Sequence, residues 1–109
     1  MIQKSTAEGY RELLPGIRMQ PLVHGEKTLL VRFELASGSA IPMHAHPHEQ
    51  TGHLVSGHVI FVTQGGAEVD VTPGDAWCFP GNERHGVRVL EDSVIVEVFS
   101  PVREEYLPR

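Results

Sequence analysis

The amino-acid sequence predicts an all-β protein, built as a β-sandwich or a closed barrel. Three observations lead there. From Leu29 onward, apolar residues recur with a period of two in short runs, the spacing that puts alternate side chains on one face of a strand. Eleven glycines and eight prolines are spread through the 109 residues and fall mostly between those runs, so turns are frequent but no segment is of low complexity. Helical periodicity is weak, and many short strands at regular spacing describe a sandwich or barrel.

The elements follow in order. Ser5 to Leu14 predicts one short helix or an irregular arm, ended by Pro15 and Gly16. Leu29, Val31, Phe33 and Leu35 alternate with Leu30, Arg32 and Glu34, a half-buried strand that stops at Ser37-Gly38-Ser39. Val59 to Thr63 is apolar and β-branched, and Gln64-Gly65-Gly66 supplies a hairpin turn. Val69 and Val71 return with Glu68, Asp70 and Thr72 on the other face. Pro73-Gly74-Asp75 is the next turn, because proline fixes one φ and glycine accepts a positive one. Ala76 to Pro80 reads as a strand in which Trp77 and Phe79 pack and Cys78 is a buried, inert thiol. Gly81-Asn82-Glu83 turns, Val87 to Leu90 is a strand, and Glu91-Asp92 turns into Ser93 to Phe99. In that last strand Ile95, Glu97 and Phe99 share one face. A carboxylate among such neighbours must be paired, beside a metal, or facing a cavity.

Composition bounds the function. A chain of 109 residues is one domain spanning 1–109, with no linker or charge block to divide it. The formal charge of −5 argues against nucleic acid and against an anionic membrane as partners. The longest apolar runs are four residues, so no membrane span is expected. One cysteine excludes an internal disulfide and points to a reducing compartment, and residues 1–8 lack the apolar stretch of a secretory signal. The expected location is cytoplasmic.

The histidines carry the chemistry. Seven are present, and four, His44, His46, His48 and His53, lie within ten residues. On an extended chain His44 and His46 point the same way, which makes them a natural metal clamp, and Gln50 shares their parity. His85, after the Pro80-Gly81-Asn82 turn, can bring a third imidazole from a separate hairpin. The fourth ligand is Gln50 or its neighbour Glu49.

These spacings resemble a known family. Gly38, His44, Ala45, His46, Gln50 and Gly57 are similar to the first motif of the cupins, with Gln50 in place of the usual acidic ligand. Gly74, Pro80, Asn82 and His85 are similar to the second motif, with Asn82 where glycine is usual and Val89 where asparagine is usual. The motifs occupy residues 38–57 and 74–89, and the resemblance implies a double-stranded β-helix, or jelly-roll, barrel with a metal in its mouth. A narrower resemblance, carried by residues 44–50, 74–77 and 96–107, is to the small cupins of pectin and alginate breakdown, which convert 4,5-unsaturated uronates to linear keto acids. It implies His44, His46, Gln50 and His85 as ligands of one divalent transition metal: zinc, nickel, iron, manganese or cobalt. It also implies Glu97 and Arg103 as catalytic residues, with Phe99, Arg103 and His53 contacting substrate. Glu97 stands where that group usually has aspartate, and His53 where it often has tyrosine.

Three imidazoles and an amide oxygen are neutral, so a divalent ion held by them keeps its full charge as a Lewis acid. The expected function is ring opening of a small, anionic, oxygen-rich substrate. The alternatives are a dioxygenase or oxidase acting on a small organic molecule, and a non-catalytic ligand-binding or sensor barrel. A homodimer is expected by analogy, paired through an N-terminal surface of Leu13, Leu14, Ile17 and Leu22.

Overall fold

The computed structural model describes residues 1–108. Eight strands, all paired antiparallel, account for the regular structure: β1 (Arg11–Leu14), β2 (Ile17–His24), β3 (Leu29–Leu35), β4 (Ala40–His44), β5 (Glu49–Thr63), β6 (Glu68–Val71), β7 (Ala76–Phe79) and β8 (His85–Ser100). One 3₁₀ turn follows at Glu104–Tyr106. Among the described residues no helix is long and apolar enough to cross a membrane.

Two long strands organise the barrel. β5 and β8 pair along their whole lengths. The C-terminal half of β8 borders β3, while its N-terminal half borders β4. Likewise β5 meets β7 with its first half and β6 with its second. All eight strands are joined in one hydrogen-bonded sheet that closes around one apolar core, the jelly-roll arrangement expected from the sequence. β3 alternates buried and half-buried at every position, as its period of two predicts.

The expected turn at Glu91-Asp92 is instead a bend within continuous β8. Buried Ser93 holds the bend: its hydroxyl donates to the Glu91 carbonyl (2.6 Å) and accepts from the His58 amide (3.0 Å). The paired strand bends at Gly57, whose φ of 97° favours glycine and where any Cβ would overlap Ser93.

The N-terminal segment also departs from expectation. No helix forms between Ser5 and Leu14. Arg11–Leu14 is a strand, and Pro15-Gly16 is its hairpin turn onto β2. A lone ten-residue helix is marginal in water, whereas β2 offers a ladder. Residues 1–10 remain an arm, tied down by buried Gln20, whose side-chain amide donates to the carbonyls of Thr6 (2.8 Å) and Glu8 (2.7 Å). Ile17 belongs to the core and not to a dimer surface, being fully buried. Cys78 is exposed, because β7 turns Trp77 and Phe79 inward and the residue between them outward.

Candidate functional site

The site lies where β4 ends and β8 begins. His44 and His85 face each other across that ladder, with ring centroids 4.5 Å apart. Each ring is fixed by a backbone carbonyl. His44 Nδ1 donates to Pro42 and His85 Nδ1 donates to Glu83, both over 2.9 Å. A carbonyl oxygen only accepts, so Nδ1 carries the proton and Nε2 keeps its lone pair. His85 Nε2 is buried without a hydrogen-bond partner.

His46 is not on a strand. It sits in the loop between β4 and β5, where the Asn82 amide donates to its carbonyl (2.7 Å). Asn82 has a φ of 66°, a left-handed conformation that asparagine accepts more readily than other side chains, which suits it to the place of a motif glycine. Ring nitrogens of His44, His46 and His85 all lie within 4.8 Å of one another, and the three residues could hold a metal ion. Burial, with Arg103 nearby, pushes the His46 pKa down to about 4, and burial also lowers that of His85. Both rings are therefore neutral near pH 7, the form that binds metals. The paired orientation of the rings and the orphaned Nε2 of His85 fit a divalent ion.

Gln50, buried on the inner face of β5, places Oε1 2.8 Å from His46 Nε2. Its amide nitrogen donates to Oε2 of Glu97 on β8. The Trp77 indole on β7 donates to the same oxygen over 2.8 Å. Glu97 is 4% exposed. Burial raises its pKa from 4.5 to about 7, against the pull of the two donors and Arg103. Of the two alternatives for the amide-or-acid position, Gln50 points inward and Glu49 is exposed.

A cavity of about 310 Å³ opens beside these groups. His44, His85, Gln50, Glu97, Phe99 and Arg103 line it, and Leu13, Ile17, Phe33 and Ile41 supply apolar wall. The Arg103 guanidinium lies over the rings of Phe99 (5.2 Å) and Tyr106 (4.1 Å), and its Nε donates to Glu105 (2.5 Å). Arg11 donates to the carbonyls of Glu105 and Leu107, fastening this C-terminal segment to β1.

The structure thus brings together His44, His46, His85, Gln50, Glu97, Phe99 and Arg103. It does not bring His53 to them. His53 has the opposite parity to Gln50 on β5, is exposed, and does not line the cavity, so the expected substrate contact is corrected. His48 is a half-buried loop residue with its ring 5.5 Å from that of His46. Arg88 is a surface partner of Glu68. Sequence reasoning missed Tyr106 as a wall of the cavity and read Trp77 as packing only. The signal for Trp77 was a glycine, Gly52, in a neighbouring strand, where an interior glycine marks close approach.

Known proteins resemble the chain along most of its length. A profile of the cupin domain family matches residues 31–101. The pectin degradation protein KdgF of Dickeya dadantii is 32% identical over 100 residues, 90% of this chain and 90% of that protein. The solved structure of KdgF from a Halomonas species superposes with a TM-score of 0.90 at 28% identity, over 98% of this chain and all (100%) of the other. An RmlC-like cupin from Shewanella frigidimarina gives 0.86 at 25% identity, over 98% and 100% of the two chains.

Proposed function

This chain belongs to the cupin domain family, and on that footing we propose that it is a metal-dependent enzyme that opens the ring of a small anionic sugar acid, a 4,5-unsaturated uronate, to give the linear keto acid. One observation carries the reading: a buried carboxyl group, Glu97, reaches the cavity beside three convergent imidazoles with a pKa raised to about 7. A group poised there can both take and return a proton at neutral pH. The likeness to KdgF, a protein of pectin degradation, supports the substrate class.

His44, His46, His85 and the Gln50 oxygen would hold the ion. When bound, a divalent ion among neutral ligands polarises adjacent substrate oxygens and lowers the pKa of a hydroxyl.

The chain's own residues do the rest. Both internal donors to Glu97 meet Oε2, so Oε1 is the atom left to exchange a proton with substrate. The reaction is an isomerisation and needs no oxidant. The anomeric hydroxyl gives its proton to Glu97 as the bond from C1 to the ring oxygen breaks. C1 becomes a carbonyl, the ring oxygen is left as an enolate, and C4 takes up a proton to complete the ketone. Arg103 uses Nε for Glu105, which leaves its terminal amino groups for the substrate carboxylate. Phe99 and Tyr106 hold the guanidinium plane. The single thiol suits a reducing, cytoplasmic setting for this chemistry.

The test is turnover of unsaturated galacturonate and guluronate, followed by proton NMR under anaerobic conditions with wild-type, His46→Ala and Glu97→Gln protein. Ring signals should vanish with wild type only. The Glu97→Gln rate should fall by about 10²–10⁴-fold. Equal rates in all three would end the proposal, and a strict need for oxygen would move it to an oxidase.

A further inference from the structure

We propose that Trp77 is a positioning residue: its indole N–H fixes one oxygen of Glu97 as an acceptor, and through it sets the Gln50 amide so that oxygen, not nitrogen, faces the histidines. The inference rests on the reading of Gln50 as a member of the metal site.

An amide is ambiguous end for end. Its two ends are nearly alike in size, but only the oxygen has lone pairs to offer a cation. Gln50 is buried on the inner face of its strand, so the partner at its far end decides which end faces His46. That partner is Glu97. A carboxyl group can present a lone pair or, when protonated, an O–H, so it does not by itself impose a direction. Trp77 Nε1 does, because indole is a donor only. It meets Oε2, the same oxygen that accepts from Gln50. That oxygen must stay an acceptor, and the amide cannot turn round without bringing its own carbonyl oxygen against it, acceptor to acceptor.

The backbone is arranged to permit this contact. Gly52 on β5 is the ladder partner of Trp77 on β7 and also of Glu97 on β8. The three residues form one row across three strands, and the indole reaches Glu97 by crossing the gap over Gly52. A Cβ at residue 52 would overlap the ring. Phe61, with its centroid 4.7 Å from that of the indole, closes the apolar side. Trp77 is the only tryptophan of the chain, so one indole N–H resonance reports on it without ambiguity.

The experiment pairs zinc affinity, read by competition with a chromogenic chelator, with ¹⁵N–¹H spectra of the metal-free protein. Trp77→Phe keeps an aromatic ring and deletes the N–H. Gly52→Ala keeps the indole and displaces it, and it carries the test if the first variant does not fold. Both should bind zinc about tenfold more weakly, the usual cost of losing a partner of a metal ligand. Both should also shift the Gln50 side-chain amide resonances. A folded variant with zinc affinity within twofold of wild type and unmoved Gln50 resonances overturns the positioning role. Wild type that binds no zinc overturns the proposed function instead, and the Gln50 resonances of the metal-free variants then decide the positioning role alone.

Discussion

The imidazole of His85 lies flat against the phenyl ring of Phe79, with centroids 4.3 Å apart and planes 2° from parallel. Phe79 is the last residue of β7 and is buried, so it forms a fixed wall that sets the plane of the ring while the Glu83 carbonyl sets its rotation. Phe79→Leu removes the wall but keeps apolar volume. Zinc affinity should fall about tenfold, and stability by about 1–3 kcal/mol from imperfect repacking. Chelator competition and urea unfolding measure the two effects separately.

Glu97 and His46 oppose each other in the pH dependence of folding. The Glu97 pKa is raised to about 7, so its folded state holds a proton that the unfolded chain has lost above about 4.5. That contribution is full below the unfolded value and is lost as pH rises through 7. The His46 pKa is lowered to about 4, so its contribution is full above 6.5 and lost as pH falls toward 4. Between pH 4.5 and 6.5 the folded state has gained one proton and given up one, and the two slopes cancel. In metal-free Glu97→Gln protein only the histidine side remains. Stability should then rise with pH more steeply than in wild type, by about 1.4 kcal/mol per pH unit. Urea midpoints at pH 4.5, 5.5 and 6.5 check the sign, and identical slopes would show that Glu97 is already ionised when folded.

The parts of this architecture that depend on local pattern were legible in the sequence. β3 shows its alternation because one of its faces, Leu29, Val31, Phe33 and Leu35, packs into the core while the other stays half-buried. The convergence of His44 and His85 followed from motif spacing, and the pairing of β4 with β8 supplies it. What depends on long strands was not legible. Glu91-Asp92 reads as a turn by composition, but the Ser93 hydroxyl and the missing side chain at Gly57 carry the chain through as a bend. His53 failed because parity along β5 runs continuously from Gln50 and turns it to solvent. His46 reached the cluster from a loop, by the Asn82 contact and not by strand parity. The role open to Trp77 needed the knowledge that β7 and β8 flank the same glycine.

Gly57 tests the bend. Its φ of 97° is unfavourable for any side chain, and a Cβ would overlap the Ser93 hydroxyl and sit 2.5 Å from the Asp92 carbonyl oxygen. Gly57→Ala should cost about 3 kcal/mol or more, from backbone strain together with displacement of a buried hydroxyl. Ser93→Ala leaves the backbone free of overlap but strands the His58 amide, and should cost about 1–2 kcal/mol. If urea unfolding ranks the two variants in the reverse order, the bend is held by the hydroxyl and not by the space at residue 57.

Arg103 separates charge from shape. Its guanidinium lies against the faces of Phe99 and Tyr106, and its side chain is 14% exposed, so the plane is set before any ligand arrives. Lysine at this position keeps the positive charge and the reach but loses the planar fork and the stacking. If the arginine grips the substrate carboxylate through two parallel hydrogen bonds, Arg103→Lys loses roughly 1.5–3 kcal/mol of binding. KM should then rise by about 10- to 100-fold while kcat changes by a few-fold, since the carboxylate is held equally in ground and transition states. An equal fall in kcat with KM unchanged would place Arg103 on the developing charge of the reaction instead, and initial rates across a hundredfold range of uronate concentration distinguish the two.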